Sequence, residues 1–244
     1  MLARRHLSVL VIALLTALSG CGGDKPLSDR PQDETSTSAS AHADGEASGA
    51  SIRYLALGDS LTQGVGAVDE KTGAFPALLS KRWRADGCEV ELRNVGVSGY
   101  TAGQVVADQL PVIKSFRPTL ITFQAGGNDI ANGVSISEYR KNVVTVLDAA
   151  KDSGARVIVL AQNEWFRSPV GKDYGEGVPA QRIAFDEALI KETKARGAEF
   201  VDLRPLYKKQ ADEEKWVADG IHPTPEAYEA WSAELASAVP APCR

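Results

Sequence analysis

An α/β fold with a parallel sheet covered on both faces is what this chain predicts, on three observations. Five short runs rich in Val, Ile, Leu and Phe alternate strictly with helical patterns. The runs are near-continuously apolar, as strands buried on both faces are. Polar motifs with Gly and Asp follow the strands, at the carboxyl edge where open α/β sheets form their sites.

The strands are expected at residues 52–57, 90–95, 119–124, 156–161 and 198–202. Helical patterns fill residues 74–84, 101–116, 137–153 and 179–196, and a last one covers 225–238. Boundary signals support them. Ser135 with Glu138 fits a capping box, and Gly154 and Gly197 fit positions just past a helix end. Thr224-Pro225 reads as an N-cap followed by an N1 proline. The chain shows no internal repeat.

The 244 residues suggest one domain with appendages: 1–20, 21–50 and 51–244. Arg4 and Arg5 precede an apolar stretch, residues 7–18, that is too short to span a bilayer as a mature helix. Leu18-Ser19-Gly20-Cys21 follows at once. Residues 22–50 hold mostly Ser, Thr, Ala, Gly, Asp and Glu. Such a segment buries too little apolar surface to offset its ordering entropy. It is expected to be a flexible tether, with a root-mean-square reach of roughly 30 Å.

The net charge of −5 is interspersed along the chain, with no basic stripe that would suggest nucleic acid. Apart from Cys21 the cysteines are Cys88 and Cys243, and the only histidines are His6, His42 and His222. The part expected to fold therefore has one histidine and two cysteines, too few for a His/Cys zinc site. No metal and no cofactor is expected.

Four motifs stand in a fixed order. They are Gly58-Asp59-Ser60-Leu61 after the first strand, Asn94-Val95-Gly96 after the second, Gly126-Gly127-Asn128-Asp129 after the third, and Asp219-Gly220-Ile221-His222-Pro223 after the fifth. Taken singly each has an ordinary explanation, because Asp-Ser often caps a helix and Gly-Gly-Asn-Asp reads as a turn. Together they supply a serine, candidate oxyanion donors and an Asp/His pair, the components of nucleophilic acyl transfer. If Ser60 needs an imidazole base, His222 is the one candidate in the expected domain. Asp59 and Asp129 have a structural role open to them, bracing turns through backbone N–H groups.

This arrangement resembles the GDSL or SGNH hydrolase family over about residues 52–240. The resemblance implies a three-layer α/β/α sandwich with a flavodoxin-like strand order 2-1-3-4-5. It implies Ser60 as nucleophile, His222 as base and Asp219 as the residue orienting it. The oxyanion hole is implied to be the Ser60 and Gly96 N–H groups with the Asn128 amide. Gly-x-Ser-x-Gly is absent, which argues against the α/β-hydrolase elbow. The residues before Cys21 resemble the bacterial lipoprotein box, which implies cleavage before Cys21 and lipidation of its thiol. A plain secretory signal with an incidental cysteine is the alternative.

The expected protein is thus a monomeric serine esterase of the bacterial cell envelope, held to a membrane by its lipid. It would act on carboxylic esters such as acyl esters or lysophospholipids. The alternatives are an O-acetyl esterase of envelope polysaccharide and a non-catalytic surface binding lipoprotein. Residues 163–177 form the longest irregular stretch and carry Trp165, Phe166 and Tyr174. They are either a substrate wall or lid, or aromatics pinning their own loop. Trp216 lines a pocket or packs on the last helix. In the family's strand order the first and last helices share a face, which would let Cys88 and Cys243 approach and bridge. The alternatives are that both are reduced or that Cys243 pairs with another chain.

Overall fold

The computed structural model describes residues 51–241 and 243. The expected signal segment, Cys21 and the tether lie outside the described residues.

Five parallel strands make one sheet: β1 (Ile52–Gly58), β2 (Val90–Asn94), β3 (Leu120–Gln124), β4 (Arg156–Leu160) and β5 (Glu199–Val201). Their order is β2-β1-β3-β4-β5, all parallel. Registers include Ile52 opposite Val90 and Tyr54 opposite Leu120. Alternation along the central strands sends side chains to two cores. Leu55, Leu57, Ile121, Phe123, Val157 and Val159 enter one, and Tyr54, Ala56, Leu120, Ile158 and Leu160 enter the other. A sheet buried on both faces explains why the strand sequences read as continuous apolar runs.

The helices, in chain order, are α1 (Ser60–Gln63), α2 (Glu70–Gly73), α3 (Phe75–Ala85), α4 (Ala102–Gln104), α5 (Pro111–Phe116), α6 (Gly127–Ala131), α7 (Ile136–Asp152), α8 (Val178–Ala195), α9 (Arg204–Asp212) and α10 (Pro225–Ala238). Residues of α4, α5, α7 and α8 join the first core, and those of α3, α9 and α10 the second. The three layers and the strand order implied by the resemblance are both present. Ser135 and Thr224 cap α7 and α10, accepting from the backbone N–H of Glu138 and Ala227. Gly154 and Gly197 take the left-handed conformation just beyond α7 and α8.

Two expectations need correction. The helix at 101–116 is not continuous. A π-helical turn, Val105–Gln109, separates α4 from α5. Pro111 supplies no backbone N–H, and the Gln109 side chain leaves the helix to pair with Gly58. It donates to the Gly58 carbonyl (2.8 Å) and accepts from the Gly58 N–H (2.9 Å). Helix α9 occupies what reads as loop in the sequence. Only Tyr207, Gln210 and Ala211 are buried on it, too few apolar positions to make a period visible.

Helices α3 and α10 pack together on the second face. Cys88 and Cys243 are joined by a disulfide there, with Cα atoms 5.6 Å apart. Aromatic side chains fill this layer. Trp231 lies against Tyr207 and Tyr228, with centroids at 4.7 and 5.0 Å, and its indole N–H donates to Gln210 Oε1 at 2.6 Å. The Tyr228 hydroxyl donates to the Val65 carbonyl at 2.7 Å, tying α10 to the loop after β1.

Candidate active site

The chain turns sharply at the end of β1. Gln109 holds Gly58, and Asp59 caps α1 by accepting from the Leu61 N–H at 3.0 Å. Ser60 is the first residue of that helix and is 8% exposed. Its N–H sits in the first turn, where no intrahelical acceptor exists.

His222 comes from a loop folded on itself. Trp216 bridges Pro223, the Val217 N–H donates to the His222 carbonyl, and the Gly220 N–H donates to the Val217 carbonyl, both at 2.9 Å. Gly220 takes a positive φ of 73° there. Asp219 Oδ1 accepts from the Ile221 and His222 N–H groups at 2.9 and 3.0 Å, and its Oδ2 lies 2.6 Å from His222 Nδ1. Burial pulls the Asp219 carboxyl up, but the His222 and Ile221 backbone bonds and the His222 ring outweigh it and hold it below the ordinary value. Asp219 is thereby kept as a carboxylate beside the ring.

The loop after β1 supports this one. At Gly66, φ is 98°, and a Cβ there would stand 2.3 Å from the Pro223 carbonyl oxygen and 3.4 Å from His222 Cβ. Val170, in the segment after β4, donates its N–H to the Gly220 carbonyl at 2.9 Å.

Asn128 lies in α6, directly after β3. One of its amide hydrogens is directed to the Tyr100 carbonyl at 3.0 Å, which leaves the second free to donate. Asp129 reaches away from the cleft and accepts from the Ala102 N–H at 2.9 Å. Both aspartates of the motifs thus brace backbone. Burial pushes Asp129 up to about 6 against the Ala102 and its own backbone bonds. It pushes Asp59 up to about 7, opposed by the Leu61 N–H and the Gln162 amide.

Ser60, Asn128 and His222 converge on one cleft of about 140 Å³. The Ser60 hydroxyl and the His222 ring both line it without a direct hydrogen bond between them, a contact that in empty sites is often made only with substrate bound.

The assignment of Gly96 is corrected by the geometry. Its N–H donates to Asn94 Oδ1 at 3.0 Å, and it does not line the cleft. A Cβ on it would lie 2.4 Å from the Gln63 N and 2.9 Å from the Asp59 carbonyl oxygen. Gly96 lets the β2 loop pack under the turn that carries Ser60. Gly99 lines the cleft instead, next to Ser98. Its φ is 83°, and the Tyr100 N–H closes the turn on the Val97 carbonyl at 3.2 Å.

The wall after β4 contributes Gln162, Asn163, Trp165 and Tyr174. Trp165 is buried and meets Tyr174 edge-on at 5.3 Å. These aromatics therefore do both things open to them, lining the cleft and pinning their own loop. Phe166 and Trp216 are not among the cleft residues. Among the described residues no group of three or more His, Cys, Asp or Glu side chains is placed to hold a metal ion.

Residues 56–230 match the GDSL-like lipase/acylhydrolase family model. An arylesterase of Vibrio mimicus is 29% identical over 191 residues, covering 78% of this chain and 88% of that protein. A thioesterase 1/protease 1/lysophospholipase L1 of Escherichia coli K12 is 28% identical over 175 residues, covering 71% and 76%. The crystal structure of TesA superposes with a TM-score of 0.66 at 24% identity, covering 78% of this chain and 99% of that one. The fold, the convergent cleft and these matches together place the chain in the GDSL-like lipase/acylhydrolase family, as a carboxylic ester hydrolase.

Proposed function

We propose that Ser60 is the nucleophile of an acyl-enzyme mechanism. Its Oγ attacks the ester carbonyl carbon while His222 Nε2 takes its proton. Asp219 Oδ2 holds the Nδ1–H and stabilises the imidazolium. The developing oxyanion is held by the N–H groups of Ser60 and Gly99 and by the free amide hydrogen of Asn128. His222 then protonates the departing alkoxide, leaving the acyl group on Ser60. Water, deprotonated by the same ring, attacks the acyl-enzyme and regenerates the serine. The observation that carries this reading is the convergence of Ser60, Asn128 and His222 on one cleft, with Asp219 at 2.6 Å from the ring.

The substrates in this reading are acyl esters or lysophospholipids. The protein acts as a lipoprotein of the bacterial cell envelope, tethered to a membrane through Cys21. The polar side chains Ser98, Gln162 and Asn163 in a small cleft favour a second reading, an O-acetyl esterase acting on a hydroxylated carrier such as a polysaccharide. The complete triad speaks against a non-catalytic binding protein.

An organophosphonate serine probe is expected to label wild type once, at Ser60. Ser60→Ala should abolish labelling. Ser60→Ala and His222→Ala should each lower kcat/KM by about 10³-fold or more, and the double variant should be scarcely worse than either single. Near-normal turnover by His222→Ala would end the serine mechanism, since the described residues contain no other histidine. Matched panels of acyl-chain esters and acetylated glycans then separate the two substrate readings.

A further inference from the structure

Arg182 lies in α8 and is 4% exposed. Its guanidinium donates to three acceptors: the Gln162 carbonyl at 2.6 Å, Glu164 Oε1 at 3.0 Å and Asp186 Oδ1 at 3.1 Å. The first two belong to the segment that leaves β4 and flank Asn163. Glu164 directly precedes Trp165. Asn163 and Trp165, with Gln162, are buried residues of the cleft wall. Neither side chain is anchored through these polar atoms, because Asn163 Oδ1 and Trp165 Nε1 are buried without partners. Besides the ring contacts of Trp165 with Phe166 and Tyr174, polar ties from neighbouring residues hold the wall. Gln162 adds one further tie, its amide donating to Asp59 Oδ2 at 3.2 Å, next to the nucleophile.

The geometry assigns Arg182 as a positioning residue that fixes the depth of the cleft, and so limits the acyl chain that fits against Asn163 and Trp165. This rests on the cleft being the ester site. A planar guanidinium reaches a backbone carbonyl and two carboxylates at once, and a lysine ammonium cannot reproduce that fork. Arg182 touches none of Ser60, Asp219 or His222, so its loss should change which esters fit and leave the attack on a small electrophile intact.

The test uses the full-length protein, p-nitrophenyl esters from C2 to C10, and a methylphosphonate probe that reports Ser60 reactivity alone. Wild type should favour the short esters. Arg182→Gln should raise the ratio of kcat/KM on C10 to that on C4 by about tenfold, the discrimination that one or two methylenes of pocket contact provide. The rate of Ser60 phosphonylation should stay within about threefold of wild type, well under a tenfold barrier change. Arg182→Lys should fall between the two. If Arg182→Gln does not accumulate folded, Glu164→Gln carries the test: it weakens the Arg182 bond to the wall, together with the longer 3.9 Å pair to Arg167, and should move the ratio the same way by less. An unchanged chain-length ratio, or an equal loss on every ester, would overturn the assignment. Failure of wild type to phosphonylate would instead count against the serine mechanism.

Discussion

At the scale of single residues, two buried carboxyls, Asp59 beside Ser60 and Asp129 beside Asn128, are held above the ordinary carboxylate range. Asp129 has one oxygen bonded to the Ala102 N–H and the other buried without a partner. Its pKa rises from 3.8 to about 6, chiefly by burial. Between those values the folded protein binds a proton that the unfolded chain has released, so this group's contribution falls as pH rises through that window. Below pH 3.8 both states are protonated and no penalty exists. Asp129→Asn keeps an acceptor for Ala102 and cannot ionise. Its stability relative to wild type should therefore increase from pH 4 to about pH 6 and stay level above. Urea denaturation across that range decides it, and a pH-independent difference would refute the account. Asp59, raised to about 7, pulls wild-type stability in the same direction over a wider window.

At the scale of elements, the site is an agreement between loops that the sheet brings to one edge. The Asp219–His222 loop rests on the loop after β1 at Gly66 and on the β4 segment at Val170. Gly66→Ala should push Pro223 and with it His222 out of line, costing about 10²-fold in kcat/KM, the usual penalty for an ångström-scale misplacement. Gly87→Ala is the control. Gly87 also has positive φ, 92°, yet nothing lies within 4 Å of its Cβ position. It should lose stability from the same backbone strain and keep its turnover. Steady-state kinetics of the two variants side by side makes the comparison, and equal losses of activity would refute it.

At the scale of the whole molecule, two covalent features are expected to matter. The Cys88–Cys243 bridge joins residues 155 apart in sequence. Chain entropy sets a ceiling of about 5 kcal/mol for such a loop, and the expected loss in the double serine variant is about 2–3 kcal/mol, within the usual range for a native disulfide. Denaturation with and without reductant, with non-reducing peptide mapping, measures it; peptides that separate without reductant would mean no bridge forms. The second is the proposed lipid attachment at Cys21. Among the described residues no helix is long and apolar enough to cross a membrane. Fatty-acid analogue labelling of wild type should be lost in Cys21→Ser, together with membrane retention, since two acyl chains suffice for stable anchoring. An unmodified Cys21 on a soluble mature chain would refute the anchor.

By itself the sequence determined the fold class, the five strands and the edge of the sheet that carries Ser60, Asn128, Asp219 and His222. Those are local statements. Continuous apolar runs mark strands buried on both faces, and each motif sits directly after a strand or before a capped helix, so its edge of the sheet follows. Tertiary structure alone decided which glycine faces the cleft. Gly96 and Gly99 lie three residues apart in one loop, and only the packing of Gly96 against Gln63 and Asp59 tells them apart. It also decided the break at Val105–Gln109, where the partner of Gln109 is Gly58, 51 residues away. Arg182 was invisible for the same reason. An arginine on a helix reads as solvated until its three acceptors are gathered around it, and two of those come from another element. What depends on neighbours in sequence was legible; what depends on a partner brought from a distant segment was not, because nothing in a residue's local pattern records which segment will pack against it.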